Sequence, residues 1–198
     1  MSAEKFKTII PNGGGRLPVE VVVSTAAEMR ALGRRLAALL HAGDLVILSG
    51  GLGAGKTTLT QGIGDGLSVR GPITSPTFVI ARVHPSLVPA RGLAASGPAL
   101  VHADAYRLGS ALELDDLDLD ADTATSVTVV EWGEGLAEGL AADRLEITIA
   151  PCPVPAEDAL PDGDPRLEGD SPRTVTISGI GNRWQAIQLP PADLADRL

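Results

Sequence analysis

The chain has 198 residues, 44% of them hydrophobic, and a net charge of −9 at pH 7. This length suits one globular domain with a substantial core, and the acidic balance argues against broad, sequence-independent contact with nucleic acid, which needs Lys and Arg to displace phosphate counterions. No apolar stretch approaches the roughly 20 residues of a membrane span, the N-terminus lacks a secretory apolar region, and Cys152 is the single cysteine, so the expectation is a cytoplasmic protein with no intrachain disulfide or cysteine metal cluster.

Residues 19–23 read as a short strand. Thr25-Ala-Ala-Glu28 then supplies a capping box for a helix with Leu32, Leu36 and Leu39 on one face, closed by Gly43. Arg30, Arg34 and Arg35 form a basic cluster on that helix, which a solvated face explains. Residues 45–49 make a buried strand, and a second helix runs to about Leu67 before Gly71-Pro72 breaks it. Further strands are expected at 78–83, 100–103 and 127–130, with a Pro, Gly and Ala-rich surface loop at 85–98. Segments 144–150 and 173–178 alternate, as strands with one wet face do, which suggests an antiparallel edge. Between them, residues 151–172 are rich in Pro, Asp and Gly and bury too little to offset their ordering entropy, so a flexible segment is expected inside one domain spanning 1–198. Cys152, flanked by Pro151 and Pro153, reads as incidental.

Residues 50–57 match G-x-x-x-x-G-K-[ST] between the second strand and the second helix. In such a loop the glycines let backbone N–H groups turn inward onto phosphate oxygens at a helix N-terminus. Leu52, Gly53, Ala54, Gly55, Lys56, Thr57 and Thr58 are therefore the candidate nucleotide contacts. Lys56 would reach the terminal phosphates and the Thr57 hydroxyl would ligate Mg²⁺.

Two strand ends offer carboxylates. Residues 126–131 form a β-branched run ending in Glu131, the place of a Walker B acid and so the leading Mg²⁺ partner; the alternative is an acid that merely ends a strand. Glu134 reads as solvated. Asp104, just beyond the strand at 100–103, can orient or deprotonate an attacking water or bind a metal-bound water. His102 reads as a core histidine, and Tyr106 and Arg107 equally as packing and surface residues. The hydroxyls of residues 73–78 can sense a terminal phosphate, although Pro76 also makes this segment a rigid turn into the next strand. The acidic run 116–120 fails as an EF-hand, since Ala121 and Val127 stand where Gly and Glu are needed; an acidic helix burying Leu112, Leu114, Leu117 and Leu119, or a solvated loop, fits it instead.

The motifs GGLGAGKTT, TSPTF, HADAYRL and VEWGE, in that order, resemble the TsaE family of bacterial ATPases of threonylcarbamoyladenosine tRNA modification, over roughly residues 19–150. The resemblance implies a P-loop NTPase-like α/β three-layer sandwich, with a mostly parallel central sheet and an antiparallel edge. It also implies weak, Mg²⁺-dependent ATP hydrolysis in concert with the TsaB and TsaD proteins, resetting their assembly between turnovers, with tRNA held through that complex. Carried onto this chain, Thr57 and Glu131 would hold Mg²⁺, Lys56 and the loop amides the phosphates, and Asp104 would support hydrolysis. Trp132 would lie beside the nucleotide or serve packing alone. Gly51 departs from the Asp common in the family, and residues 25–29 carry no evident base-recognising side chain.

Alternatives remain. A GTPase would need an N-K-x-D run, which is absent. A small-molecule kinase would need a cationic lid, for which Arg82, Arg91 and Arg107 are scattered candidates. A nucleotide-dependent adaptor without catalysis is the third.

Overall fold

The computed structural model describes residues 15–76, 79–88, 97–108, 110, 111, 113, 124–152 and 171–191. Its frame is a seven-stranded sheet in the order β2-β8-β7-β3-β6-β5-β4, with a separate two-stranded ribbon of β1 and β9. The strands are β1 Gly15–Arg16, β2 Val19–Val23, β3 Leu45–Gly50, β4 Ala81–His84, β5 Ala99–Asp104, β6 Ser126–Glu131, β7 Arg144–Pro151, β8 Arg173–Ile180 and β9 Gln188–Leu189. The helices are α1 Ala26–Ala37 and α2 Lys56–Leu67.

The centre of the sheet is parallel: β3 pairs in parallel with β6 and β7, and β6 with β5. β3 and β6 are buried almost throughout, as strands covered on both faces must be. Antiparallel strands flank this centre on both sides, β8 and β2 beyond β7 and β4 beyond β5. The expected antiparallel side is therefore present, but its outer strand is β2, with β7 and β8 inside. Alternation in β7 reports one wet face rather than an edge position. Arg144 and Glu146 make an ion pair at 2.8 Å there, two residues apart on the same face.

α1 and α2 pack on one face. Met29, Leu32 and Leu36 of α1 and Leu59 and Ile63 of α2 meet Val46, Leu48, Val127, Val129, Ile147 and Ile177 in the main core. The opposite face carries a smaller cluster, in which Leu45, Ile47, Val101, Ala103 and Val130 are covered by Ala137 and its partly buried neighbours Leu136 and Leu140. That cover leads into the 3₁₀ turn Glu138–Leu140, and Ala111 and Glu113, after β5, have helical backbone. The leucines Leu112, Leu114, Leu117 and Leu119, and most of 151–172, lie outside the described residues.

Local chemistry explains the element ends. The Thr25 hydroxyl accepts the Glu28 N–H at 3.1 Å, while the Glu28 carboxylate accepts the Ser24 N–H at 2.7 Å, which caps α1 from both directions. α1 ends at Ala37, before Leu39, and Gly43 comes later as a left-handed turn with φ of 93°. Arg35 is buried at 4% exposure and donates to the Pro190 carbonyl at 2.7 Å, and Arg30 donates to Gln61 at 3.2 Å. Arg35 thus joins elements from a buried position, whereas Arg30 is exposed, as on a solvated face. The strand expected at 78–83 starts only at Ala81, because the N–H groups of Val79 and Ile80 both close a turn on the Pro76 carbonyl; Thr77 and Phe78 lie outside the described residues. No described helix is long and apolar enough to cross a membrane.

Candidate functional site

Three adjacent parallel strands end at the same rim. In register, Leu48 of β3 stands beside Glu131 of β6, and Glu131 beside Asp104 of β5. Neighbouring strands lie about 4.8 Å apart, so the loop after β3 and the two carboxylates necessarily share one end of the sheet. This is where an open α/β sheet places a ligand.

The loop after β3 turns through Gly50, Gly53 and Gly55, with φ of 142°, 72° and 108°. At Gly50 a side chain is impossible for a second reason, since a Cβ there would strike the Ile149 carbonyl of neighbouring β7. Gly55 is the N-cap of α2 and offers no side-chain acceptor, so the first N–H groups of that helix face the cleft unmatched by a cap. An anion is the natural occupant of such a helix start.

The cleft has a volume of about 390 Å³. Leu52, Gly53, Ala54, Gly55, Lys56, Thr57 and Thr58 line one wall. Ser75, Asp104, Tyr106, Glu131 and Trp132 line the other. Every residue anticipated from sequence as a nucleotide, metal or catalytic contact therefore borders one cavity. Leu52 sits at the tip of the loop and is 93% exposed.

Lys56 is folded back onto its own loop. Its Nζ donates to the carbonyls of Gly50 at 2.8 Å and Gly51 at 2.9 Å, and it lies 3.5 Å from the centroid of the Trp132 ring. Burial of the ammonium pulls its pKa below the ordinary lysine value of 10.5, and the charges of Glu131 and Asp104 oppose that shift. Trp132 is held there by its backbone: it has φ of 60°, its N–H donates to the Leu48 carbonyl at 2.8 Å, and its ring meets that of Tyr106 at 5.1 Å. A bulky residue at positive φ costs roughly 1–3 kcal/mol, so the surrounding packing must impose this conformation.

Thr57 and Glu131 converge. The threonine hydroxyl donates to Glu131 Oε1 at 2.8 Å, and His102 Nε2 lies 2.8 Å from the same oxygen. Glu131 is 3% exposed and His102 wholly buried. Asp104 is also buried; its Oδ1 accepts the Tyr106 N–H at 3.0 Å and its Oδ2 accepts the Ser75 hydroxyl at 3.1 Å. Ser75 thus ties the segment after α2 to the β5 carboxylate. Glu134 is exposed, and of the scattered arginines, Arg82 donates to the Thr74 hydroxyl at 3.5 Å. Arg91 lies outside the described residues. Among the residues lining the cleft, Lys56 is the one cation.

A smaller pocket of about 110 Å³ lies on the other side of the loop, between Gly53, Ala54, Gly55 and Thr58 and the start of α1 at Thr25, Ala26 and Met29. Arg173 of β8 closes it, with a guanidinium nitrogen 3.5 Å from the Gly53 carbonyl. Sequence reasoning missed Arg173, whose place in the chain carries no signal of the loop 120 residues away. It also took His102 for core packing, although its polar contact to Glu131 is as short as that of Thr57.

Residues 23–153 match the family model described as threonylcarbamoyl adenosine biosynthesis protein TsaE. The chain belongs to the TsaE family. The tRNA threonylcarbamoyladenosine biosynthesis protein TsaE of Streptomyces coelicolor is 57% identical over 157 residues, covering 79% of this chain and 93% of the relative. TsaE of Mycobacterium tuberculosis strain H37Rv is 50% identical over 143 residues, covering 69% and 79% respectively. The solved structure of Bacillus subtilis YdiB superposes with a TM-score of 0.57 at 28% identity, covering 84% of this chain and 88% of that one. The match spans α1, the glycine-rich loop, both carboxylates and β7, so the cleft lies wholly inside the part shared with the TsaE family.

Proposed function

We propose that this chain binds ATP with Mg²⁺ and hydrolyses it weakly as an accessory protein of tRNA threonylcarbamoyladenosine modification, acting with TsaB and TsaD. The observation that carries the reading is the convergence of Lys56, Thr57, Glu131 and Asp104 on one cleft at the N-terminus of α2. The relatives' names supply the pathway.

The donor set suits Mg²⁺. One hydroxyl and one carboxylate, 2.8 Å apart, are hard oxygen donors, and Mg²⁺ needs few from a protein because phosphates and waters complete its octahedron. Among the described residues no group of three or more His, Cys, Asp or Glu could hold a metal ion, so a cation here would depend on the nucleotide for further ligands. When bound, it would neutralise charge on the phosphates. Lys56 would leave the Gly50 and Gly51 carbonyls, or share itself between them and the phosphate, and the N–H groups at the start of α2 would take phosphate oxygens. The pocket at Thr25, Met29 and Arg173 borders the same loop, and its guanidinium beside the Met29 side chain suits a stacked base.

Weak turnover follows from Asp104. Both carboxylate oxygens already accept hydrogen bonds, so the group is better placed to orient a water than to take its proton. Among the described residues the cleft holds a single cation, where phosphoryl transfer to a metabolite calls for several, which favours hydrolysis over a kinase. Acidic composition fits tRNA being held by the partner proteins.

Reconstitution tests the reading. With TsaB, TsaD and tRNA, modification should stop after about one turnover without this chain and continue with it and ATP. No dependence on the chain would overturn the accessory role; dependence that persists with a nonhydrolysable ATP analogue would favour an adaptor.

A further inference from the structure

His102 is a wholly buried ionisable side chain that touches one of the cleft's carboxylates. It lies on β5, opposite Val129 of β6 and Arg82 of β4, two residues before Asp104. A histidine that only filled space would point its nitrogens at backbone or be replaced by an apolar side chain, since a buried imidazole without a partner is costly. Here Nε2 lies 2.8 Å from Glu131 Oε1. A carboxylate oxygen only accepts, so the tautomer that fits carries its proton on Nε2. Nδ1 finds no partner among the described residues, which agrees: a bare lone pair is tolerated there better than a second unmatched N–H.

We propose that His102 is a positioning residue: it fixes the Glu131 carboxylate by holding Oε1 from behind while Oε2 stays available to the Mg²⁺-nucleotide site. The inference rests on the proposed metal role of Glu131 and deepens it. Glutamate has three side-chain torsions, and freezing such a chain costs conformational entropy. Two donors on Oε1, from Thr57 and His102, meet that cost before any ligand arrives. They differ in kind. Thr57 is itself a proposed ligand, whereas His102 sits behind the carboxylate in the core and keeps its hydrogen bond whatever occupies the cleft. Partners one step behind a metal ligand typically change metal affinity or activity 10- to 100-fold when removed.

The test is titration of Mg²⁺ into the full chain with bound ADP, followed by calorimetry, beside ADP binding in excess chelator. His102→Leu keeps an apolar volume and removes the donor; His102→Gln can present an N–H close to the original Nε2, and His102→Asn is too short to. The Mg²⁺ concentration for half-saturation should rise at least about tenfold in the Leu and Asn variants, recover to within about threefold in Gln, and stay within about twofold for metal-free ADP in all of them. In a Glu131→Ala background, His102→Leu should add nothing further.

If Glu131→Ala raises the Mg²⁺ requirement while His102→Leu and His102→Asn do not, His102 positions nothing and the metal reading survives. If Glu131→Ala has no effect, the metal reading fails and this one with it. Equal weakening of metal-free and Mg²⁺-dependent binding, without rescue by Gln, would reduce His102 to a core residue. Should the Leu variant fail to fold, the Asn and Gln pair makes the same comparison.

Discussion

The Thr57 hydroxyl donates to Glu131 Oε1 at 2.8 Å, joining the first turn of α2 to the end of β6 across 74 residues of sequence. The cleft thus brings together the two side chains proposed to share a cation. Thr57→Val keeps the shape and removes the hydroxyl. It should leave metal-free nucleotide affinity within about twofold and weaken the Mg²⁺-nucleotide complex at least about tenfold, or roughly 1.4 kcal/mol. Calorimetry with and without Mg²⁺ checks this, and a gain from Mg²⁺ as large in the variant as in the unmutated chain would remove Thr57 from the metal site.

Lys56 now spends its ammonium on two loop carbonyls and the Trp132 ring. Lys56→Ala should abolish nucleotide binding or nearly so, because charge-assisted hydrogen bonds contribute roughly 1.5–3 kcal/mol each. Losing the lysine also frees the Trp132 ring, so tryptophan fluorescence should change in the variant even without nucleotide. Near-normal affinity in the variant would sink the loop assignment.

The lowered pKa of Lys56 sets a pH dependence. Its charged form is the one that binds phosphate, and burial weakens the proton's hold, so the charge is lost as pH rises at a lower pH than for an ordinary lysine at 10.5. Metal-free nucleotide affinity should therefore be greater on the acid side of that transition and fall on the alkaline side, starting below 10.5. The residual binding of Lys56→Ala should lack this fall. A wild-type affinity that holds steady up to the ordinary lysine range would show that the lysine is solvated in solution.

Asp104 is gripped by Ser75 and by the Tyr106 N–H. Asp104→Asn retains an acceptor for the amide and a donor that the Ser75 hydroxyl can accept, so it removes charge with little change of shape. Binding of Mg²⁺-ATP should stay within about threefold while single-turnover hydrolysis drops by about 10²-fold or more. Unchanged hydrolysis would leave Asp104 as an anchor for the segment holding Ser75.

How legible this was depends on distance along the chain. The loop proposed to hold phosphates is contiguous, and its glycines and Lys56 could be read directly. Asp104 and Glu131 were readable because each follows an apolar strand, and parallel strands bring such ends together. His102 and Arg173 were not, because their meaning comes from register: His102 alternates inward beside β6, and Arg173 reaches the loop only because β8 folds back on β7 and β2 joins its far side. The same limit applied to the sheet, where alternation in β7 disclosed a wet face but could not say which strand lies next to it. The β1 and β9 ribbon went unforeseen, being two residues on each side with no periodicity to detect.

The helix pair makes the last prediction. Gly62 of α2 is so close to α1 that a Cβ would strike the Arg30 carbonyl, and backbone cannot yield as a side-chain tip can. Gly62→Ala gains up to about 1 kcal/mol of helix propensity but forces the helices apart, and overpacking costs roughly 1–3 kcal/mol. The clash should win, lowering the urea midpoint. Gly139→Ala is the control, because a Cβ there meets nothing within 4 Å. Displacing α1 also carries Met29 away from Gly55, now 3.2 Å from the nearest point a Cβ would occupy. Nucleotide affinity should therefore fall in Gly62→Ala even under conditions where it is fully folded. If stability drops but affinity does not, the pocket between α1 and the loop does not take part in binding.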